Sequence, residues 1–139
     1  MILEWLSILL LLLPSAWLDV RQKKVWLPWL GVFFLEAVVL LIIGVNSWKV
    51  FIFGMLPGVI LIFVSIITKG AIGLGDGYLV CIIGSLLGLK DTVNILTWAI
   101  FLLAVTGMFL VVFKHWQRKR TLPFVPFLLL AYILQMIQF

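Results

Sequence analysis

Charge is scarce in this chain. Of 139 residues, 11% are Asp, Glu, Lys or Arg, against about 25% in ordinary soluble proteins. One cysteine, Cys81, excludes an internal disulfide and any multi-cysteine zinc or iron–sulfur site. One histidine, His115, excludes a histidine-rich metal centre. With so little to bind a metal or hold a prosthetic group, no metal and no cofactor are expected. What fills the chain instead is apolar: 65% of it is hydrophobic. A domain this small cannot hide that much apolar surface from water, so lipid must cover most of it. A soluble enzyme with a polar exterior and a disordered chain are both excluded.

A helix needs about 20 mostly apolar residues to cross a membrane. Six stretches are predicted to do so: 2–18, 27–45, 50–67, 78–89, 92–113 and 122–139. The expected fold is therefore all-α, a polytopic membrane protein of about six transmembrane helices. The six spans leave no room in residues 1–139 for a soluble domain or linker, and no internal repeat is evident. The fourth span is short. Its twelve residues rise only about 18 Å, so the glycine-rich segment before it (Gly70, Gly73, Gly75, Gly77) is expected to lie below the membrane surface. Irregular backbone at that depth is tolerated only inside protein or along a watery cavity.

The basic residues orient the chain. Arg21, Lys23, Lys24, Lys69, Lys114, Arg118, Lys119 and Arg120 follow the odd-numbered spans, whereas only Lys49 and Lys90 follow even ones. By the positive-inside rule the odd loops are cytoplasmic and both termini lie outside. The first span starts with Glu4 rather than a positive residue and lacks an Ala-x-Ala site, so it is an uncleaved helix rather than a signal peptide. The 114–120 cluster reads as an anchor to anionic headgroups, not as a nucleic-acid site.

Five acids remain to be explained. Glu4 and Asp91 lie at outer span ends and read as interfacial charge. Glu36 falls mid-span, either hydrogen-bonded between helices or marking an ion path. Asp19 ends the first span and Asp76 opens the fourth, both on the cytoplasmic side. Taken singly, Asp19 also suits a salt bridge to Arg21 or Lys23, and Asp76 an ordinary helix N-cap. Taken together, two carboxylates in one partly dry cavity suit an aspartyl protease, because like charges at close range cannot both ionise cheaply. Gly73 and Gly75 are expected to allow unusual backbone angles and a close approach by substrate. Gly54-x-x-x-Gly58 and Gly84-x-x-x-Gly88 predict close helix packing. The seven tryptophans are expected at interfaces or facing lipid.

Gly73-Leu74-Gly75-Asp76 matches the Gly-x-Gly-Asp motif of intramembrane aspartyl proteases. Asp19, followed by a basic stretch and Leu27-Pro28, is similar to the Asp…Ile-Pro segment of type IV prepilin peptidases. Leu122-Pro123-Phe124-Val125-Pro126-Phe127 resembles the late Pro-Phe-Gly-Pro-Phe element of that family. Three landmarks thus stand in order along nearly the whole chain. Departures are Tyr78 where the family often has Lys, Val125 for Gly, and Trp29 for Asn.

The resemblance implies an aspartic endopeptidase in a prokaryotic cell membrane, active at the cytoplasmic face. Its partners would be prepilin-like or pseudopilin substrates, of pilus or secretion systems, whose basic leader is cleaved. Asp19 and Asp76 match the catalytic pair; Gly73 and Gly75 support the motif; Pro123, Pro126 and Tyr78 are substrate-side or structural. The cysteine-bearing N-terminal region of many members has no counterpart in this sequence, which therefore resembles the short peptidase-only form, without methyltransferase activity. The competing expectation is a non-catalytic assembly factor or a small proton or cation transporter subunit using Asp19, Asp76 or Glu36.

Overall fold

The computed structural model describes residues 2–22, 26–70, 73–114 and 123–138. Six helices run through them: α1 (Ile2–Gln22), α2 (Leu27–Ile43), α3 (Trp48–Ile67), α4 (Leu74–Leu87), α5 (Leu89–Lys114) and α6 (Val125–Gln138). The protein is all-α, as its hydropathy predicts. By length and composition α1, α3 and α5 can each cross a membrane, while α2, α4 and α6 are shorter apolar helices. Large apolar side chains such as Ile42, Phe63, Met108 and Phe113 face outward, a surface only lipid would cover. This is an integral membrane protein.

Local chemistry sets the helix ends. The α2 helix opens with Pro28 in its first turn, where a missing N–H costs nothing. It closes on Gly44 at φ 83°, with the Gly44 and Val45 amides donating to Leu41 and Leu40 carbonyls; a left-handed glycine ends helices in this way. Ser47 caps α3 by accepting from the Val50 amide at 3.4 Å. Gly88, at φ 91°, makes the one-residue corner between α4 and α5, and Thr92 Oγ1 secures it by donating to the Gly88 carbonyl at 2.7 Å.

The shortest apolar helices lie inside. Helix α4 touches α1, α2, α3 and α5, and Leu79 through Leu86 are all buried. Its shortness is thus accommodated by protein on every side rather than by lipid. The core gathers Ile8, Leu11 and Leu12 of α1, Ile83 and Leu86 of α4, Ile95 of α5, and Leu128 and Tyr132 of α6.

The two glycine pairs form a seam between α3 and α4. A Cβ on Gly54 would collide with the Gly84 carbonyl, and one on Gly84 with that of Gly54. A Cβ on Gly58 would strike the Cys81 backbone, and one on Gly77 would lie 2.5 Å from Ile62 Cγ1. Close packing is what small-xxx-small spacing predicts; Gly77 joins the seam although it lies outside either pair.

Two tryptophans depart from the interfacial expectation. Trp5 and Trp29 are half-buried against the core. Trp5 stacks on Tyr132 with centroids 5.2 Å apart, and the Tyr132 hydroxyl donates to the Trp5 carbonyl at 2.6 Å. Trp17, Trp26, Trp48 and Trp98 are exposed as expected. Trp116, His115, Lys23, Lys24, Leu122 and the basic residues 118–120 lie outside the described residues.

Candidate active site

Asp19 lies near the end of the first helix, as its place at the end of the first span suggests. The α1 helix continues to Gln22, which places Asp19 in its last turns, 6% exposed. Helix hydrogen bonding does not stop where hydropathy stops, so the charged end of the segment stays helical. Asp19 Oδ2 accepts from the Val125 backbone amide at 3.1 Å. Arg21 carries its guanidinium over the Trp17 ring, 5.0 Å from the centroid.

Asp76 lies in the first turn of α4, half-buried. Gly73, not Asp76, occupies the N-cap position. The Asp76 amide donates to the Gly73 carbonyl at 3.2 Å. The expectation of unusual backbone at the motif glycines is corrected here. Gly73 has φ −65° and ψ 135°, ordinary extended backbone, and Gly75, within the helix, is not among the positive-φ residues. What Gly73 supplies is room: a Cβ there would lie 3.2 Å from Asp76 Oδ2, so any larger residue crowds the carboxylate.

Helices α1 and α4 are in contact, and Asp19, in the last turns of α1, is near enough to Asp76, in the first turn of α4, for the two carboxylates to repel each other. The entry to α6 reaches Asp19 through the Val125 amide. Sequence reasoning marked Pro123 and Pro126 but did not link them to Asp19; the only hint was their shared cytoplasmic end. Pro123 and Pro126 are half-buried. Tyr78 is 43% exposed, turned away from the buried side of α4. Glu36 is half-buried in the middle of α2, about 13 Å along the helix axis from Leu27 at 1.5 Å per residue. Among the described residues no three His, Cys, Asp or Glu side chains cluster as metal ligands would.

A bundle of apolar helices with an outward face that only lipid would cover is an integral membrane protein, and this one holds Asp19 and Asp76 within charge range of each other. The family model described as the type IV leader peptidase family matches residues 6–112, and the chain belongs to that peptidase family. The match includes Asp19, Gly73, Gly75 and Asp76 and stops short of α6. Neither a curated protein nor a solved structure matches the chain.

Proposed function

We propose that this chain is an aspartic endopeptidase that removes the basic leader of prepilin-like or pseudopilin substrates at the cytoplasmic face of a prokaryotic membrane. Residues 1–139 act as a single membrane-embedded unit. What supports the proposal is that Asp19 in the last turns of α1 and Asp76 in the first turn of α4 lie near enough for their charges to repel, in a chain of a leader peptidase family. The positive-inside distribution supports the cytoplasmic assignment.

The chemistry follows from two carboxyls sharing one proton. The ionised carboxylate takes a proton from water as the water oxygen attacks the scissile carbonyl carbon. The protonated carboxyl donates to the carbonyl oxygen, which becomes a tetrahedral hydroxyl. Collapse of that intermediate breaks the C–N bond, and a carboxyl-borne proton goes to the leaving amine. The products are a leader with a new carboxylate and a mature chain with a new amino terminus. Gly73, with no side chain beside Asp76, leaves the space an extended substrate strand needs.

Co-expression with a prepilin-like substrate, followed by mass spectrometry of its N-terminus, tests the proposal. Cleavage just before the substrate's hydrophobic helix is the expected result; an unprocessed substrate in every pairing would overturn it. Activity is expected to survive strong chelators, because one histidine and one cysteine cannot build a tetrahedral zinc site. Loss on chelation with recovery on adding metal would contradict this.

Mid-helix Glu36 is the feature that favours the competing transporter reading, since an ionisable group at that depth marks an ion path in many membrane proteins. Glu36→Gln is expected to leave cleavage within about threefold of wild type, since glutamine keeps the length and shape of the side chain and can still hydrogen-bond between helices. Abolished cleavage in well-folded protein would move Glu36 into the mechanism.

A further inference from the structure

We infer that the entry turn of α6 is a positioning element for the site, with the Val125 backbone N–H fixing the rotation of the Asp19 carboxylate. The inference rests on Asp19 acting in catalysis as proposed above.

Asp19 is buried near the end of α1, between half-buried Leu18 and exposed Val20. Helix α6 holds it from 106 residues away. The first turn of a helix has N–H groups with no carbonyl of its own to bond. In α6 the Phe127 and Leu128 amides both donate to the Phe124 carbonyl, each at 3.1 Å. Pro126 has no N–H. Val125 is therefore the one residue of this turn whose amide points out of the helix, and it donates to Asp19 Oδ2 at 3.1 Å.

Three features make this contact more than incidental packing. Val125 is fully buried, so water cannot replace its partner. The amide lies at the positive end of the helix dipole, which favours an anionic acceptor. A hydrogen bond to a charged group is also roughly twice as strong as a neutral one. Helices α1 and α6 are already joined by the Trp5–Tyr132 stack and its hydrogen bond, so the Val125 contact is not needed to bring them together. Pro126 keeps a competing donor out of the turn while its fixed φ suits a helix start. Pro126 thereby acquires a role: it shapes a turn whose Val125 amide is aimed at one oxygen of Asp19.

The test replaces the amide without changing the side chain. The full chain is made with the α-hydroxy analogue of valine at position 125, which substitutes an ester oxygen for the N–H, and is assayed with a prepilin-like peptide in lipid. A fall in kcat of at least about tenfold is expected, the size of a lost hydrogen bond to a charged group, with KM within twofold. The conservative variant Val125→Ala restores the N–H on a smaller side chain and is expected to recover kcat to within about threefold of wild type. A wild-type kcat in the ester protein, a loss confined to KM, or equal damage in Val125→Ala would overturn the inference. A second measurement does not depend on activity or on the ester protein folding. The Val125 amide proton is expected to resonate downfield in wild type and to move upfield in Asp19→Ala; an unmoved resonance refutes the contact. If Asp19→Asn cleaves normally, the protease proposal itself fails; if Asp19→Asn is inactive while the ester protein behaves as wild type, only the positioning inference fails.

Discussion

Asp19→Asn and Asp76→Asn are each expected to lower leader cleavage by about 10²–10⁴-fold, the usual contribution of a positioned general acid or base. The substitution keeps the size of the side chain. It also keeps an oxygen able to accept from the Val125 amide, so Asp19→Asn should insert and fold as wild type does. Only the exchange of a proton is lost. Because the two acids act as a unit, the double variant should be little worse than either single one. In wild type the pair should give a bell-shaped pH profile of kcat/KM, with both limbs belonging to the pair rather than to either residue. Cleavage by either single variant at the wild-type rate would falsify the paired mechanism. The measurement is the initial rate of leader release in lipid, alongside thermal unfolding to show that both variants are folded.

Gly84→Leu is expected to cause the second large loss, this time of the folded bundle. A Cβ at Gly84 would meet the Gly54 carbonyl, with the carbonyl carbon at 2.6 Å. The obstacle is backbone, so it cannot swing aside as a flexible side chain would. The helices must separate, and the close contacts along Gly58, Gly77 and Cys81 go with them. We expect destabilisation of about 3 kcal/mol, the upper end of ordinary overpacking, read as a lowered Tm in detergent and poor recovery of monodisperse protein. Gly31→Ala is the matching control: nothing lies within 4 Å of a Cβ at Gly31, and alanine is the better helix former by about 0.5–1 kcal/mol. If Gly84→Leu melted as wild type does, the α3–α4 seam would not be as close as described.

Hydropathy alone located all six helices, because a lipid-covered helix must be apolar over most of its length. It was less informative at their ends. Asp19, Arg21 and Gln22 look like a loop on a hydropathy scale, yet they continue α1, since polar side chains at a membrane surface do not interrupt backbone hydrogen bonding. Gly73, Gly75 and Gly77 look like a break, yet Leu74 already begins α4. Gly73 and Gly75 read as freedom of backbone angle; in the structure Gly73 gives clearance beside the Asp76 carboxylate and Gly77 beside Ile62.

The aspartate pair was legible because so few acids exist in this chain that each stands out. The Val125 contact was not. It joins residues 106 positions apart through a main-chain atom that every residue except proline possesses. No periodicity, charge pattern or side-chain type announces such a bond. Only the missing N–H of Pro126 limits which amide can make it.

The α3–α4 seam has a mechanical consequence. Two helices in backbone contact at Gly54 and Gly84, with few side chains between them to rearrange, behave as one stiff beam. Amides along that beam are expected to exchange with deuterium more slowly than those of α2, whose closest partners among the described residues are α4 and α1. Asp76 is mounted at the end of the beam, whereas Asp19 hangs from α1 and is steadied by the first turn of α6. If the pair cleaves as proposed, any give in the bundle as a long substrate enters would fall on the Asp19 side, with Asp76 as the fixed jaw.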